Sequence, residues 1–120
     1  MSRANVSLGN WAEDRAAAHF ARLGFTVLAR NWRPRGVGVR GDLDLIVADA
    51  DADLVVVCEV KARRSGSPGG AVAAVTPAKQ DQIRLLTELW LAEHDSGDGN
   101  LRFDVIAIDG VRLMHYPDAF

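Results

Sequence analysis

Residues 41–63 read GDLDLIVADADADLVVVCEVKAR, and this stretch decides the fold. Two runs rich in Val, Leu and Ile, Asp42–Ala48 and Leu54–Ala62, flank the polar tetrapeptide Ala50-Asp51-Ala52-Asp53. Such runs around a short turn-forming segment predict two antiparallel strands joined by a tight hairpin. A hairpin turning symmetrically about Asp51 and Ala52 pairs position 44 with 59 and position 42 with 61. Side chains alternate along a strand, so Glu59 and Lys61 share one face while Cys58 and Val60 take the other.

Outward from the hairpin, Ala12, Ala16, Phe20 and Leu23 follow helical spacing, which predicts a first helix from about Leu8 to Leu23, stopped by Gly24. Phe25–Arg30 reads as a strand. Arg33–Gly41 holds Pro34, Gly36, Gly38 and Gly41 and reads as a loop, as does the Gly/Pro/Ser segment Ser65–Gly70. A second helix starts near Thr76, which can cap it, with Pro77 in first position; Ile83, Leu86 and Trp90 form its apolar stripe and Gly97–Asn100 closes it. Leu101–Ile108 is a further strand and Val111–Tyr116 a short edge strand. The order helix, three strands, helix, strand predicts an α/β protein. Its strand-helix-strand crossover makes a parallel pair, so the sheet is mixed and flanked by helices.

The length of 120 residues suits one domain spanning 1–120. Hydrophobic residues at 48% and charged residues at 25% are ordinary for a globular chain. No apolar run approaches the ~20 residues of a membrane span, and the start of the chain has no secretory-signal pattern. The single cysteine, Cys58, cannot form an intramolecular disulfide and fits a reducing cytoplasm, where the protein is expected. The net charge of -2 gives no bulk attraction to nucleic acid. Its distribution does: Arg30, Arg33, Arg35 and Arg40 in one stretch, with Lys61, Arg63 and Arg64 in another, hold half of the 14 basic residues. A solvated mixed-charge surface accounts for the same pattern.

In the expected register Asp44 faces Glu59 with Cβ atoms roughly 4.5–5.5 Å apart. Two ionised carboxylates at ~4 Å repel by about 4 kcal/mol at an effective dielectric of ~20. A divalent cation between them removes that cost, and hard oxygen ligands suit Mg²⁺ or Mn²⁺. Lys61 beside the cation can hold or deprotonate a water, or steady a phosphate through charge. Each of these residues alone also fits a solvent-facing strand position, and Asp42 with Lys61 fits a plain cross-strand ion pair. Glu13 falls in the apolar stripe of the first helix, where an unpaired charge is expensive. It either reaches water at the edge of the stripe or points over the metal site, as outer-shell or second-metal ligand. Lys79 and Gln80, in the first turn of the second helix, are placed to contact phosphate or to stand solvated. The histidines His19, His94 and His115 are scattered without zinc-ligand spacing, and Cys58, facing away from Glu59, reads as a small core residue.

At Gly9-Asn10-Trp11-Ala12-Glu13, Arg30-Asn31-Trp32-Arg33, Gly41-Asp42-Leu43-Asp44-Leu45-Ile46, Glu59-Val60-Lys61-Ala62-Arg63 and Arg102-Phe103-Asp104-Val105 the chain resembles the PD-(D/E)xK nuclease superfamily, and more closely the YraN family of bacterial proteins. Those proteins are similar to archaeal Holliday-junction resolvases. The resemblance implies a restriction-endonuclease-like αβββαβ core with Asp44 and Glu59 as metal ligands, Lys61 as the catalytic lysine and Glu13 as the helix glutamate. The family usually has Gly-Glu where this chain has Gly41-Asp42. The expected activity is Mg²⁺- or Mn²⁺-dependent endonucleolytic hydrolysis of DNA, on branched or flapped structures. Arg33, Arg35, Arg40, Arg63 and Lys79 are the expected nucleic-acid contacts. A homodimer is the arrangement that two symmetric cuts require, with Trp11 or Trp32 available to its interface. The superfamily also holds members that bind nucleic acid without cutting it, so a non-catalytic nucleic-acid-binding protein on the same fold is the alternative.

Overall fold

A computed structural model describes residues 3–36, 38–63, 70–94 and 99–120, with backbone alone for 3–8, 63 and 71. The elements in chain order are α1 (Arg3–Arg22), β1 (Thr26–Trp32), β2 (Leu43–Asp49), β3 (Leu54–Arg63), α2 (Gly70–Ala73), α3 (Pro77–Glu93), β4 (Asn100–Asp109) and β5 (Arg112–Tyr116). The expected Ser65–Gly70 loop, Arg64 and the closing Gly97 lie outside the described residues, except for Gly70, which opens α2.

The five strands form one sheet in the order β1-β2-β3-β4-β5. β3 and β4 are parallel, and all other neighbours are antiparallel. The sheet is therefore mixed, as the crossover between β3 and β4 requires. This α/β arrangement is compatible with a restriction-endonuclease-like core. The β2–β3 register pairs Leu45 with Cys58 and Asp49 with Leu54, the pairing expected of a hairpin centred between Asp51 and Ala52. Asp49 Oδ1 accepts hydrogen bonds from the Asp51 and Ala52 amides at 3.1 and 3.3 Å, so the turn is tied by its own first residue.

Helices cover both faces of the sheet. On one side Ala12, Ala16 and Phe20 of α1 pack on Leu45, Val47, Val56, Cys58, Ile106 and Ile108. On the other, Ile83, Leu86 and Trp90 of α3 pack on Ile46, Val57, Val105 and Ala107. Odd positions of β3 and β4 thus face α3 and even positions face α1, which puts Glu59 and Lys61 on the α3 side and buries Cys58 under α1, away from Glu59.

Local chemistry sets the helix ends. α1 begins at Arg3, five residues before the expected Leu8, because no breaker stands between them. At its other end Gly24 has φ +94, its amide bonds to the Ala21 carbonyl at 3.1 Å, and the Phe25 amide bonds to the Phe20 carbonyl at 3.0 Å. That is a Schellman motif, closed by an edge-to-face contact of Phe20 and Phe25. α3 starts as expected, with Thr76 Oγ1 accepting from the Lys79 amide and Pro77 in the first turn. It ends at Glu93 rather than at Gly97–Asn100, and Asn100 instead opens β4. β1 runs two residues past the expected Arg30, to Trp32, and is bulged between Val27 and Ala29. The short α2 was not expected from the Gly-rich sequence. Among the described residues no helix is long and apolar enough to cross a membrane.

Candidate active site

Past Leu45 and Cys58 the β2–β3 ladder stops, and the Val60 amide donates instead to Asp44 Oδ2 at 2.9 Å. A side chain thus takes the place of a backbone acceptor, and it turns the Asp44 carboxyl toward the adjoining strand. The Glu59 carboxyl lies near enough for its charge to act on it. Burial first, and then the Glu59 charge, push the Asp44 acid up to about 7, with the nearby Asp42 adding to the rise and the Val60 amide opposing it. The Glu59 side chain is almost fully buried. The two acids approach each other where the strands part: the expected register holds from Leu45–Cys58 to Asp49–Leu54, but the expected pairings of 44 with 59 and 42 with 61 are replaced by the Asp44 side-chain bond to Val60 and the Asp42–Arg33 pair.

The ammonium groups of Lys61 and Lys79 flank the same carboxylate oxygen, Glu59 Oε1, at 3.6 and 3.8 Å. Lys61 reaches it from two residues along its own strand. Lys79 reaches it from the first turn of α3, so the expected solvated helix start is a half-buried member of the cluster. Gln80 turns back instead, its Nε2 donating to the Val75 carbonyl at 3.0 Å.

Glu13 is buried on α1, and its Oε1 accepts from Asn31 Nδ2 at 2.8 Å. Burial is the main influence raising its acid; the Asn31 bond opposes this, and the Asp44 charge adds to it. Glu13 thus feels the Asp44 charge from α1. Arg30 stands between Glu13 Oε1 (3.9 Å) and Asp14 Oδ1 (2.7 Å). Asn31 has φ +50, a left-handed conformation that asparagine tolerates better than most residues.

The basic loop divides. Arg33 pairs with Asp42 at 3.5 Å, which places it at the rim of the acid cluster and gives Asp42 a partner other than the Lys61 considered above. Arg40 is exposed, and its carbonyl accepts from Gln82 Nε2 of α3 at 2.8 Å, fixing the loop near the start of that helix. Arg35 lies farther away, lining an open depression of about 500 Å³ with Trp32, Arg33, Glu93 and His94. The Arg63 side chain lies outside the described residues. Trp11 is exposed under the Arg15 guanidinium, whereas Trp32 is half-buried against the α3-side core.

Among the described residues no group of three or more His, Cys, Asp or Glu side chains could hold a metal ion. The available protein donors are the two carboxyls of Asp44 and Glu59, with Glu13 behind. This set fits Mg²⁺ or Mn²⁺, which are commonly bound through one or two carboxylates and keep the rest of their shell as water. Burial first, and the Glu59 charge second, make the Asp44 carboxylate costly to ionise without a further counter-charge.

Three features were not read from the sequence. The partner of Glu13, Asn31, stood in a quoted segment without a role. Lys79 was placed near phosphate but not beside Glu59. The third is a cluster around the fully buried Asp104. Arg102 binds its carboxylate through Nε and Nη2 at 2.8 and 2.9 Å, His115 Nε2 lies 2.7 Å away, and the Asp118 amide donates at 3.0 Å. His19 Nε2 and His115 Nδ1 share a further hydrogen bond at 3.0 Å, so two of the supposedly scattered histidines meet. An aspartate in the middle of a valine- and isoleucine-rich strand, two residues after an arginine on the same face, was the available signal.

Comparison with known proteins places residues 12–108 in the Uncharacterised protein family UPF0102. The chain is similar to a UPF0102 protein of Frankia casuarinae, with 42% identity covering 98% of this chain and 99% of that one. It is similar to relatives from Mycolicibacterium smegmatis (44% identity, 98% and 89% covered) and Ralstonia nicotianae (44%, 96% and 87%). With a family model matching residues 12–108 and relatives matching nearly end to end at this identity, the chain belongs to the UPF0102 family.

Proposed function

We propose that this protein is a metal-dependent endonuclease that hydrolyses DNA phosphodiesters, with branched or flapped DNA as the substrate class. The carrying observation is the juxtaposition of Asp44, Glu59 and Lys61 where the β2–β3 ladder opens, with Lys61 Nζ 3.6 Å from Glu59 Oε1. Asp44 and Glu59 would hold the cation, and Glu13, kept in place by Asn31, would stand behind Asp44 as outer-shell or second-metal ligand. Bound Mg²⁺ or Mn²⁺ supplies charge to the phosphoryl oxygens and acidifies water. Lys61 would orient the attacking water or carry charge on the phosphate, and in-line attack at phosphorus would release one ester oxygen. Arg33 at the rim, Arg40 near the start of α3, Arg35 in its depression and Arg63 at the end of β3 would track the backbone. A cytoplasmic protein acting as a homodimer fits symmetric cutting of a branched substrate.

The test is incubation of purified protein with labelled junction, flap and linear DNA in Mg²⁺, Mn²⁺ or EDTA. Metal-dependent cleavage lost in Asp44→Asn, Glu59→Gln and Lys61→Met supports the reading. Cleavage surviving in Glu59→Gln marks a contaminating nuclease.

One observation favours a second reading, a nucleic-acid-binding protein that does not cut: the described residues offer fewer than three clustered metal-ligand side chains. It predicts salt-dependent DNA binding weakened by Arg33→Ala and Arg35→Ala and unaffected or strengthened by Asp44→Ala.

A further inference from the structure

Glu59 Oε1 has two ammonium neighbours, Lys61 Nζ at 3.6 Å and Lys79 Nζ at 3.8 Å, although the carboxylate carries a single charge. The two lysines are not held alike. Lys61 lies on the strand of Glu59, two positions on and on the same face. Lys79 lies in the first turn of the 17-residue α3, where no acidic side chain balances it. The amino end of a helix is its positive pole, and a cation there is disfavoured by ~0.3–1 kcal/mol. Glu59 attracts Lys79 across 3.8 Å, and the lysine stands on a long aliphatic stem with about a third of its side chain exposed.

We propose that Lys79 is an exchangeable counter-ion: its ammonium occupies Glu59 Oε1 in the metal-free site, leaves when a divalent cation takes that oxygen, and then pairs with a phosphate of the bound nucleic acid. This rests on the metal-dependent reading above and adds that cation entry delivers a second positive group to the substrate. Lys79 is then a positioning residue whose place depends on which ion Glu59 holds. Cation and lysine compete for one oxygen, whereas cation and nucleic acid cooperate.

The experiment uses the full chain stripped with EDTA. Mn²⁺ is titrated by calorimetry into the wild type, Lys79→Met and Lys79→Arg, and binding of a fluorescent duplex is followed by anisotropy across a salt series, with Ca²⁺ and without metal. Removing the competing charge in Lys79→Met should tighten Mn²⁺ roughly tenfold, the scale of a unit charge a few ångströms away after screening. The same variant should lose about one unit of salt slope in duplex binding with Ca²⁺, and little without metal. Lys79→Arg should restore the Mn²⁺ affinity and the slope. Unchanged or weaker Mn²⁺ binding in Lys79→Met overturns the proposal, as does an equal loss of DNA binding with and without Ca²⁺. If Lys79→Met loses its fold, Lys79→Arg decides through the metal dependence of its slope, since a fixed structural counter-ion gives none. A wild type that takes up no Mn²⁺ overturns the metal-dependent reading itself, and so differs from a wild type that binds Mn²⁺ with Lys79→Met indistinguishable from it.

Discussion

The Val60 amide donates to Asp44 Oδ2 at 2.9 Å, at the step where the backbone ladder between β2 and β3 ends. The bond does two things at once. It satisfies an amide that the parting strands would leave open, and it holds one carboxyl of the candidate site against the other. The cost is visible in Asp44, whose acid is pushed up to about 7 by burial and by the Glu59 charge.

That rise has a sign. A carboxyl whose folded pKa exceeds its unfolded value of ~3.9 binds its proton more tightly in the native state. Its ionisation therefore destabilises the metal-free fold as pH climbs from ~4 through about 7. In EDTA, urea denaturation should show the wild type losing stability relative to Asp44→Asn between pH 5 and pH 8. The asparagine can still accept from Val60 but has no proton to lose. Parallel curves for the two proteins would refute the assignment.

Divalent metal should reverse this penalty. Ligand binding to the native state alone adds about 2.7 kcal/mol at a hundredfold excess over Kd. A thermal shift of several degrees in Mn²⁺ is expected for the wild type, larger at pH 8 than at pH 6 because bound metal displaces the Asp44 proton. Asp44→Asn and Glu59→Gln should each abolish most of it.

A side chain at Gly41 is expected to carry a cost. Its φ is +102, and an added Cβ would lie 2.7 Å from Gln82 Nε2, the group that ties the loop through the Arg40 carbonyl. Left-handed strain for an L-residue amounts to ~1–2 kcal/mol. Gly41→Ala should lower stability by about that amount in urea denaturation. It should also reduce activity on DNA further than the stability loss explains, because Asp42 and Asp44 follow directly.

Asp104 should matter more for stability than for cleavage. Burial pushes its acid up, yet the Arg102 guanidinium, the Asp118 amide and His115 together outweigh burial and hold it below the usual carboxylate range. Its contribution is therefore present above the unfolded pKa and is lost as pH falls through the lower folded value. Breaking a buried charge cluster by removing one partner costs ~3–5 kcal/mol. Asp104→Ala should lose stability on that scale at pH 7, measured by chemical denaturation, with the gap from wild type shrinking below pH 4. A loss under 1 kcal/mol would show the cluster to be dispensable.

Much of the site was legible because it lies within one hairpin. The turn about Asp51 and Ala52 and the two-residue period of strands together dictate that Asp44 meets Glu59 and that Lys61 shares the face of Glu59. Thr76 and Pro77 likewise mark the start of α3 through chemistry acting over three or four residues. The partnerships of Glu13 with Asn31 and of Lys79 with Glu59 join elements whose spacing in the chain carries no geometric rule. The same holds for His115 and the Asp118 amide at Asp104, with His19 of α1 behind His115; Arg102, two positions away on the same strand face, is the one partner of Asp104 that strand period makes legible.

The amino-acid sequence by itself determined the strands, their hairpin register, the end of α1, the start of α3 and the pair of acids, because hydrogen-bonding period and turn chemistry are local. Only the tertiary structure decided that Lys79 joins Lys61 at Glu59, which side chain steadies Glu13 and how His115 and the C-terminal tail close on Asp104. Those contacts depend on where helices α1 and α3 come to rest on the sheet, and packing of the whole apolar surface sets that position.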